Sequence, residues 1–151
     1  MSKLFDLRNK NVLLTGASKG MGLAMAEGLV NHGANVVISS RKLDQCEKAV
    51  ETINESIGKE KAFAFSCNAS IKDELDALVE FSLSKLGSIT TLVCNAGVNS
   101  FFGSMSEIDD ESYDKTMDTN VKSNHWLINM VTPSMNCLLY TSPSPRDIGE
   151  S

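Results

Sequence analysis

The feature that most constrains this chain is a glycine-rich turn set between an apolar run and an amphipathic stretch. Asn11-Val12-Leu13-Leu14 reads as a buried strand. Thr15-Gly16-Ala17-Ser18-Lys19-Gly20-Met21-Gly22 follows, and a helix is predicted from Gly20 to about His32, stopped by Gly33. In a strand–turn–helix unit each glycine has its own task. Gly16 permits the tight turn out of the strand, Gly20 lets the backbone approach a pyrophosphate, and Gly22 lets the helix pack close to the sheet. The helix start offers unpaired N–H groups and the positive end of its dipole, which together attract phosphate. Ser18, Lys19 and Met21 complete the predicted contact surface of the loop. An ordinary glycine-rich turn is the plain alternative, and the flanking strand and helix argue against it.

The same alternation continues downstream. Asn35–Ser39 is a second short strand, and a helix over Lys42–Ile57 places Leu43, Cys46, Val50, Ile53 and Ile57 on one face, with Gly58 as its stop. Ala62–Phe65 is a third strand. A helix from about Lys72 to Leu86 points Leu75, Leu78, Val79 and Leu86 inward, with Gly87 after it. Thr91–Cys94 is a fourth strand, and a long helix is predicted from about Glu111 past Trp126. Alternating strands and helices of this kind specify an α/β class with a parallel sheet, doubly wound in the Rossmann manner. Only four strands, their helices and the long helix can be read, so the sheet is expected to be incomplete.

Other properties narrow the function. With 14 Lys and Arg against 19 Asp and Glu, the net charge is −5, which disfavours nucleic acid and anionic membrane as partners. Met1–Arg8 mixes charges and shows no continuous apolar run, so no targeting peptide is expected and a cytoplasmic location is the default. Loss of the true C-terminus would hide a peroxisomal signal. Cys46, Cys67, Cys94 and Cys137 form no C-x-x-C pair and are expected as free, mostly buried thiols. Two histidines without a ligand cluster give no metal site. His32 is expected at the surface, His125 and Trp126 in packing, and Phe101 and Phe102 beside a substrate pocket or anchoring a loop. The sequons at Asn54 and Asn68 are read as chance.

The second strand ends in Ser39-Ser40-Arg41-Lys42. An NAD site usually carries an acid here for the ribose 2′-hydroxyl, and none occurs before Asp44. Arg41 can grip a 2′-phosphate in two-pronged fashion, Ser40 can donate to it, and Lys19 adds charge on the same side. Bases at a helix start oppose its dipole, which makes a merely solvated face the costlier explanation. NADP(H) is therefore favoured over NAD(H).

Taken in order, these motifs resemble those of the short-chain dehydrogenases/reductases. Thr15 to Gly22 is similar to the family's T-G-x-x-x-G-x-G signature. Cys94-Asn95-Ala96-Gly97 is similar to its N-N-A-G motif, with Cys94 in place of asparagine, and Asn120 stands at its helix asparagine. The similarity covers roughly Phe5 to Met135. It implies that Asn68 and Ala69 lie at the adenine, with Asn68 in place of the usual Asp. It implies that Asn95, Ala96 and Gly97 support the ribose side, and that Asn120 holds a water in a proton relay or caps a local kink. A small carbonyl or alcohol substrate, and a homodimer or homotetramer, are implied likewise.

The family's chemistry needs a tyrosine with a lysine four residues on and a serine upstream. Here Met117 follows Tyr113 and Ser144 follows Tyr140 at that spacing, so the chain as it stands is expected to be inactive. After about Met135 the strand–helix pattern fails. Pro143 and Pro145 at alternate positions would break any central strand. Residues 1–136 are read as the N-terminal part of an NADP(H)-binding domain. Residues 137–151 are read as a non-native, disordered tail resembling a translated sequencing adapter. Two further readings stand beside the oxidoreductase: a non-catalytic NADP(H)-binding or interaction protein, and an epimerase branch whose glycine spacing differs from Gly16, Gly20 and Gly22.

Overall fold

The computed structural model describes residues 5–135. The expected tail at 137–151, with Cys137 and Tyr140, lies outside the described residues. Four strands, β1 (Asn11–Thr15), β2 (Asn35–Ser40), β3 (Ala62–Ser66) and β4 (Thr91–Val93), form one parallel sheet in the order β3-β2-β1-β4. Between them run α1 (Gly20–Asn31), α2 (Leu43–Ile57) and α3 (Lys72–Leu86), followed by α4 (Asp110–Met117) and α5 (Ser123–Met135). The strand order reverses between β1 and β4, so a crevice opens beyond the strands' C-terminal ends.

Side-chain alternation along the central strands builds two cores. Val12 and Leu14 of β1, with Val36 and Ile38 of β2, pack on one face against Ala26 and Val30 of α1 and Cys46, Ala49 and Ile53 of α2. Leu13 and Val37 point the other way, onto Leu75, Leu78 and Val79 of α3 and Leu127 and Val131 of α5. Both faces are covered, which is why β1 and β2 read as continuous apolar runs instead of alternating ones. This is the Rossmann-type architecture expected from the sequence. Thr91, Leu92 and Val93 of β4 are only half-buried, and among the described residues β4 bonds to β1 alone.

Several expectations need correction. The long helix forms as one unbroken helical run over 110–135, but it is not regular throughout. Asp109 caps α4, its carboxylate accepting from Ser112 N at 2.7 Å, and regular winding ends at Met117. Asp118–Lys122 make one wider π-type turn, in which Ser123 N donates to the Asp118 carbonyl, before α5 begins. The cause is side-chain insertion into the helical ladder: Asn124 Nδ2 donates to the Asn120 carbonyl at 2.8 Å, and Ser123 Oγ donates to the Thr119 carbonyl at 2.5 Å. Cys94 falls just past β4. Leu43 opens α2 but is exposed, and Ala49 takes its place in the buried stripe with Cys46 and Ile53. His32 is half-buried rather than at the surface, with Nδ1 donating to the Gly28 carbonyl at 2.7 Å and Phe5 at its edge.

Candidate nucleotide-binding cleft

A cleft of about 970 Å³ lies beyond the C-terminal ends of all four strands. Its first wall is the β1–α1 turn. Gly16 sits at φ +67°, and a Cβ there would stand 2.7 Å from Ala96 Cα. Gly20 also has positive φ (+58°), but a Cβ there would meet nothing within 4 Å. Gly22 is enclosed, since a Cβ would stand 2.7 Å from both Ala17 Cα and Asn95 Nδ2. The start of α1 has no side-chain cap, so its leading N–H groups lack the usual local acceptor.

The turn is clipped to β4 from across the sheet. Asn95 Nδ2 donates to the Thr15 and Gly16 carbonyls at 3.1 and 2.8 Å. Thr15 Oγ1 in turn accepts from Asn95 N at 3.2 Å and Ala96 N at 3.1 Å. The structure therefore uses Asn95 to hold the glycine turn closed, with Ala96 packed on Gly16.

The opposite wall comes from β2, β3 and α4. Ser40 Oγ accepts from Lys42 N at 3.3 Å and touches Cys46 Sγ at 3.1 Å. Arg41 and Lys42 are exposed beside it. Asn68 Oδ1 accepts from Ser70 N at 3.2 Å, while Asn68 N donates to Glu74 Oε2 at 2.7 Å. Ser70 Oγ lies 2.8 Å from Thr119 Oγ1, which ties the β3–α3 loop to the π-type turn. Cys67 lines the floor, where burial pushes its thiol up to about 12.

Gly16, Ser18, Lys19, Ser40, Arg41, Asn68, Ala69, Asn95, Ala96 and Gly97 all line this cleft. Gly20, Met21 and Gly22 do not: Gly22 is buried behind the turn, and Met21 is 79% exposed outside it. Asn120 stays off the wall as well. Its Oδ1 accepts from Val98 N and its Nδ2 donates to the Val98 carbonyl, both at 2.8 Å, so its amide is spent on holding the loop after β4. Sequence reasoning missed Thr15, Gln45, Cys67, Ser70, Val98, Lys115 and Thr119 as lining residues. Thr15 was the one within reach, as the last strand residue before the turn. The lining cations are Lys19, Arg41, Lys42 and Lys115, and among the described residues no carboxylate lines the cleft. Among the described residues none of the four forms a salt bridge, and no group of three His, Cys, Asp or Glu side chains is placed to hold a metal ion. No described helix is long and apolar enough to cross a membrane.

The fold and motifs have clear relatives. The short chain dehydrogenase family model matches residues 10–140. Dehydrogenase/reductase SDR family member 4 of Caenorhabditis elegans is 37% identical over 124 residues, covering 82% of this chain and 47% of the relative. The L-sorbose reductase of Gluconobacter frateurii, solved with NADPH and L-sorbose, superposes with a TM-score of 0.82 at 28% identity, over 88% of this chain and 50% of that one. The 3-ketoacyl-(acyl-carrier-protein) reductase of Brucella melitensis, solved with NADH, gives 0.79 at 30% identity, over 85% and 51%. The chain spans about half the length of the curated relatives it matches. On its glycine turn, its N-A-G motif and this match over most of its length, the chain belongs to the short-chain dehydrogenase/reductase family.

Proposed function

We propose that the cleft holds NADP(H), and that residues 1–136 are the cofactor-binding half of an oxidoreductase acting on a carbonyl or alcohol. The turn suits a pyrophosphate, with an uncapped helix start, open space at Gly20, and no room for a side chain at Gly16 or Gly22. Solved relatives carry either NADPH or NADH, so a nicotinamide dinucleotide is the common expectation. The reading of the phosphorylated form is supported by the cationic lining, without a carboxylate among the described residues, centred on Ser40 and Arg41 at the end of β2.

When bound, the nicotinamide supplies or receives the hydride. The chain's own residues bind and orient. Ser18 and Lys19 would hold the phosphates, and Arg41, Ser40 and Lys42 the 2′-phosphate. Asn68 would offer its Nδ2 to the adenine beside Ala69, and Asn95 to Gly97 would support the ribose. Asn120 is a positioning residue, since its amide fixes Val98 and hence the path of the loop beyond Gly97. The tyrosine, lysine and serine for proton transfer are expected in sequence beyond this chain. A homodimer or homotetramer of the whole protein is expected from the family resemblance.

The test is a titration of the full-length protein, encoded by its complete transcript, with NADPH and NADH. Arg41→Asp is expected to weaken NADPH roughly thirtyfold and NADH less than about threefold. Equal losses for the two would remove the assignment. A second reading is a non-catalytic NADP(H)-binding protein. A Tyr-x-x-x-Lys downstream in the transcript would decide for the enzyme.

A further inference from the structure

One cation in the cleft has no part in the glycine turn or the end of β2. Lys115 is the only base in α4, within Asp110-Glu111-Ser112-Tyr113-Asp114-Lys115-Thr116-Met117. Glu111 stands four residues before it, the favoured order for an intrahelical ion pair. Yet among the described residues Lys115 forms no salt bridge, and Asp118 is engaged by Lys122 at 3.1 Å. Lys115 lines the cleft instead.

A lysine in the last turn of a helix ordinarily complements the helix dipole. That explanation fails here, because Asp118 keeps helical dihedrals and the chain runs on through the π-type turn into α5. Position supplies a better one. Thr119, one turn on from Lys115, is held to Ser70 at 2.8 Å, which seats α4 beside Asn68-Ala69-Ser70 at the β3 end of the cleft. Arg41 and Lys42, at the end of β2, line the same cleft as Lys115, and among the described residues no carboxylate lines it.

We propose that Lys115 is a specificity-determining residue that closes the far side of the 2′-phosphate site opposite Arg41. This rests on the NADP(H) reading above. The long lysine stem lets the ammonium reach across the cleft as a point charge, while the forked guanidinium of Arg41 fixes the phosphate's orientation. Lysine 115 thus adds preference for the phosphorylated ribose and leaves the pyrophosphate grip of the β1–α1 turn untouched.

Adenosine 2′,5′-bisphosphate and 5′-AMP, titrated into the full-length protein at low and at moderate salt, separate the contributions. Lys115→Met is expected to weaken the bisphosphate roughly five- to tenfold at low salt, with 5′-AMP changed less than about twofold. Lys115→Arg should restore most of the loss. Because Lys115 is exposed, neither variant is expected to disturb folding. Unchanged bisphosphate affinity in Lys115→Met, or equal losses on both ligands, would overturn the role of Lys115. A wild-type protein with no preference for the bisphosphate would instead overturn the NADP(H) reading beneath it.

Discussion

At the β1–α1 end of the cleft the ligand surface is backbone, whereas at the β2–α4 end it is side chain. Gly16, Gly22, Ala96 and Asn95 interlock so closely that the turn has almost no freedom of composition. Arg41, Lys42 and Lys115 are exposed, and packing demands nothing of them. On the reading proposed above, a group common to all dinucleotides would be met by the part of the fold that cannot vary. The group that distinguishes one dinucleotide from another would be met by the part that can. Changes at the first end should cost the fold, and changes at the second should cost selectivity.

The largest effect should come from Gly22→Ala, which places a methyl against the Gly16 carbonyl, Ala17 and Asn95 and should destabilise by about 3 kcal/mol in urea melts. Gly20→Ala is the matched control. Its methyl meets open space, so only left-handed strain of about 1 kcal/mol is expected, with phosphate binding lost all the same. Equal losses of stability at the two glycines would break the distinction between packing and ligand clearance.

Asn95→Ala should follow, at about 2 kcal/mol, because two half-buried carbonyls, those of Thr15 and Gly16, lose their donor. If its melt matches wild type, the clip between β4 and the turn carries no weight. Arg41→Asp should shift stability by less than about 0.5 kcal/mol while shifting NADPH affinity as given above. A large loss of stability there would erase the contrast between the two ends.

The smallest effect concerns the floor between them. Burial, with some help from the charge of Glu74, raises the Cys67 thiol from its ordinary 9.0 to about 12. At pH 8 iodoacetamide should leave Cys67 unmodified in the folded protein and alkylate it once urea unfolds the chain. Folding holds this thiol protonated, so its contribution to stability is complete below pH 9.0 and fades as the pH climbs toward 12. Wild type should therefore lose stability faster than Cys67→Ala over that interval. Parallel curves would show that the thiol is not desolvated.

What was legible in the sequence was whatever the chain settles over a few neighbouring residues. The four strands, α1 to α3 and the glycine turn were all found within a residue or two, because apolar period and backbone freedom are local properties. The Asn120 kink was visible only as an alternative. The two-armed grip of Asn120 on Val98, 22 residues earlier in the chain, is not a matter of period. Met21 belongs to the turn by its backbone, while its side chain faces solvent, a placement that sequence alone did not show.

Sequence by itself determined the parallel α/β alternation, the turn built to meet phosphate, and the missing acid at the end of the second strand. Tertiary structure decided which surfaces meet across that turn. Asn95 reaches Thr15 over 80 residues, and Thr119 reaches Ser70 over 49, and through them the N-A-G motif becomes a clip and α4 becomes a wall of the cleft. The physical reason is range. Local torsions and periods fix each element, but only the packing of both sheet faces brings residues so far apart within hydrogen-bonding distance.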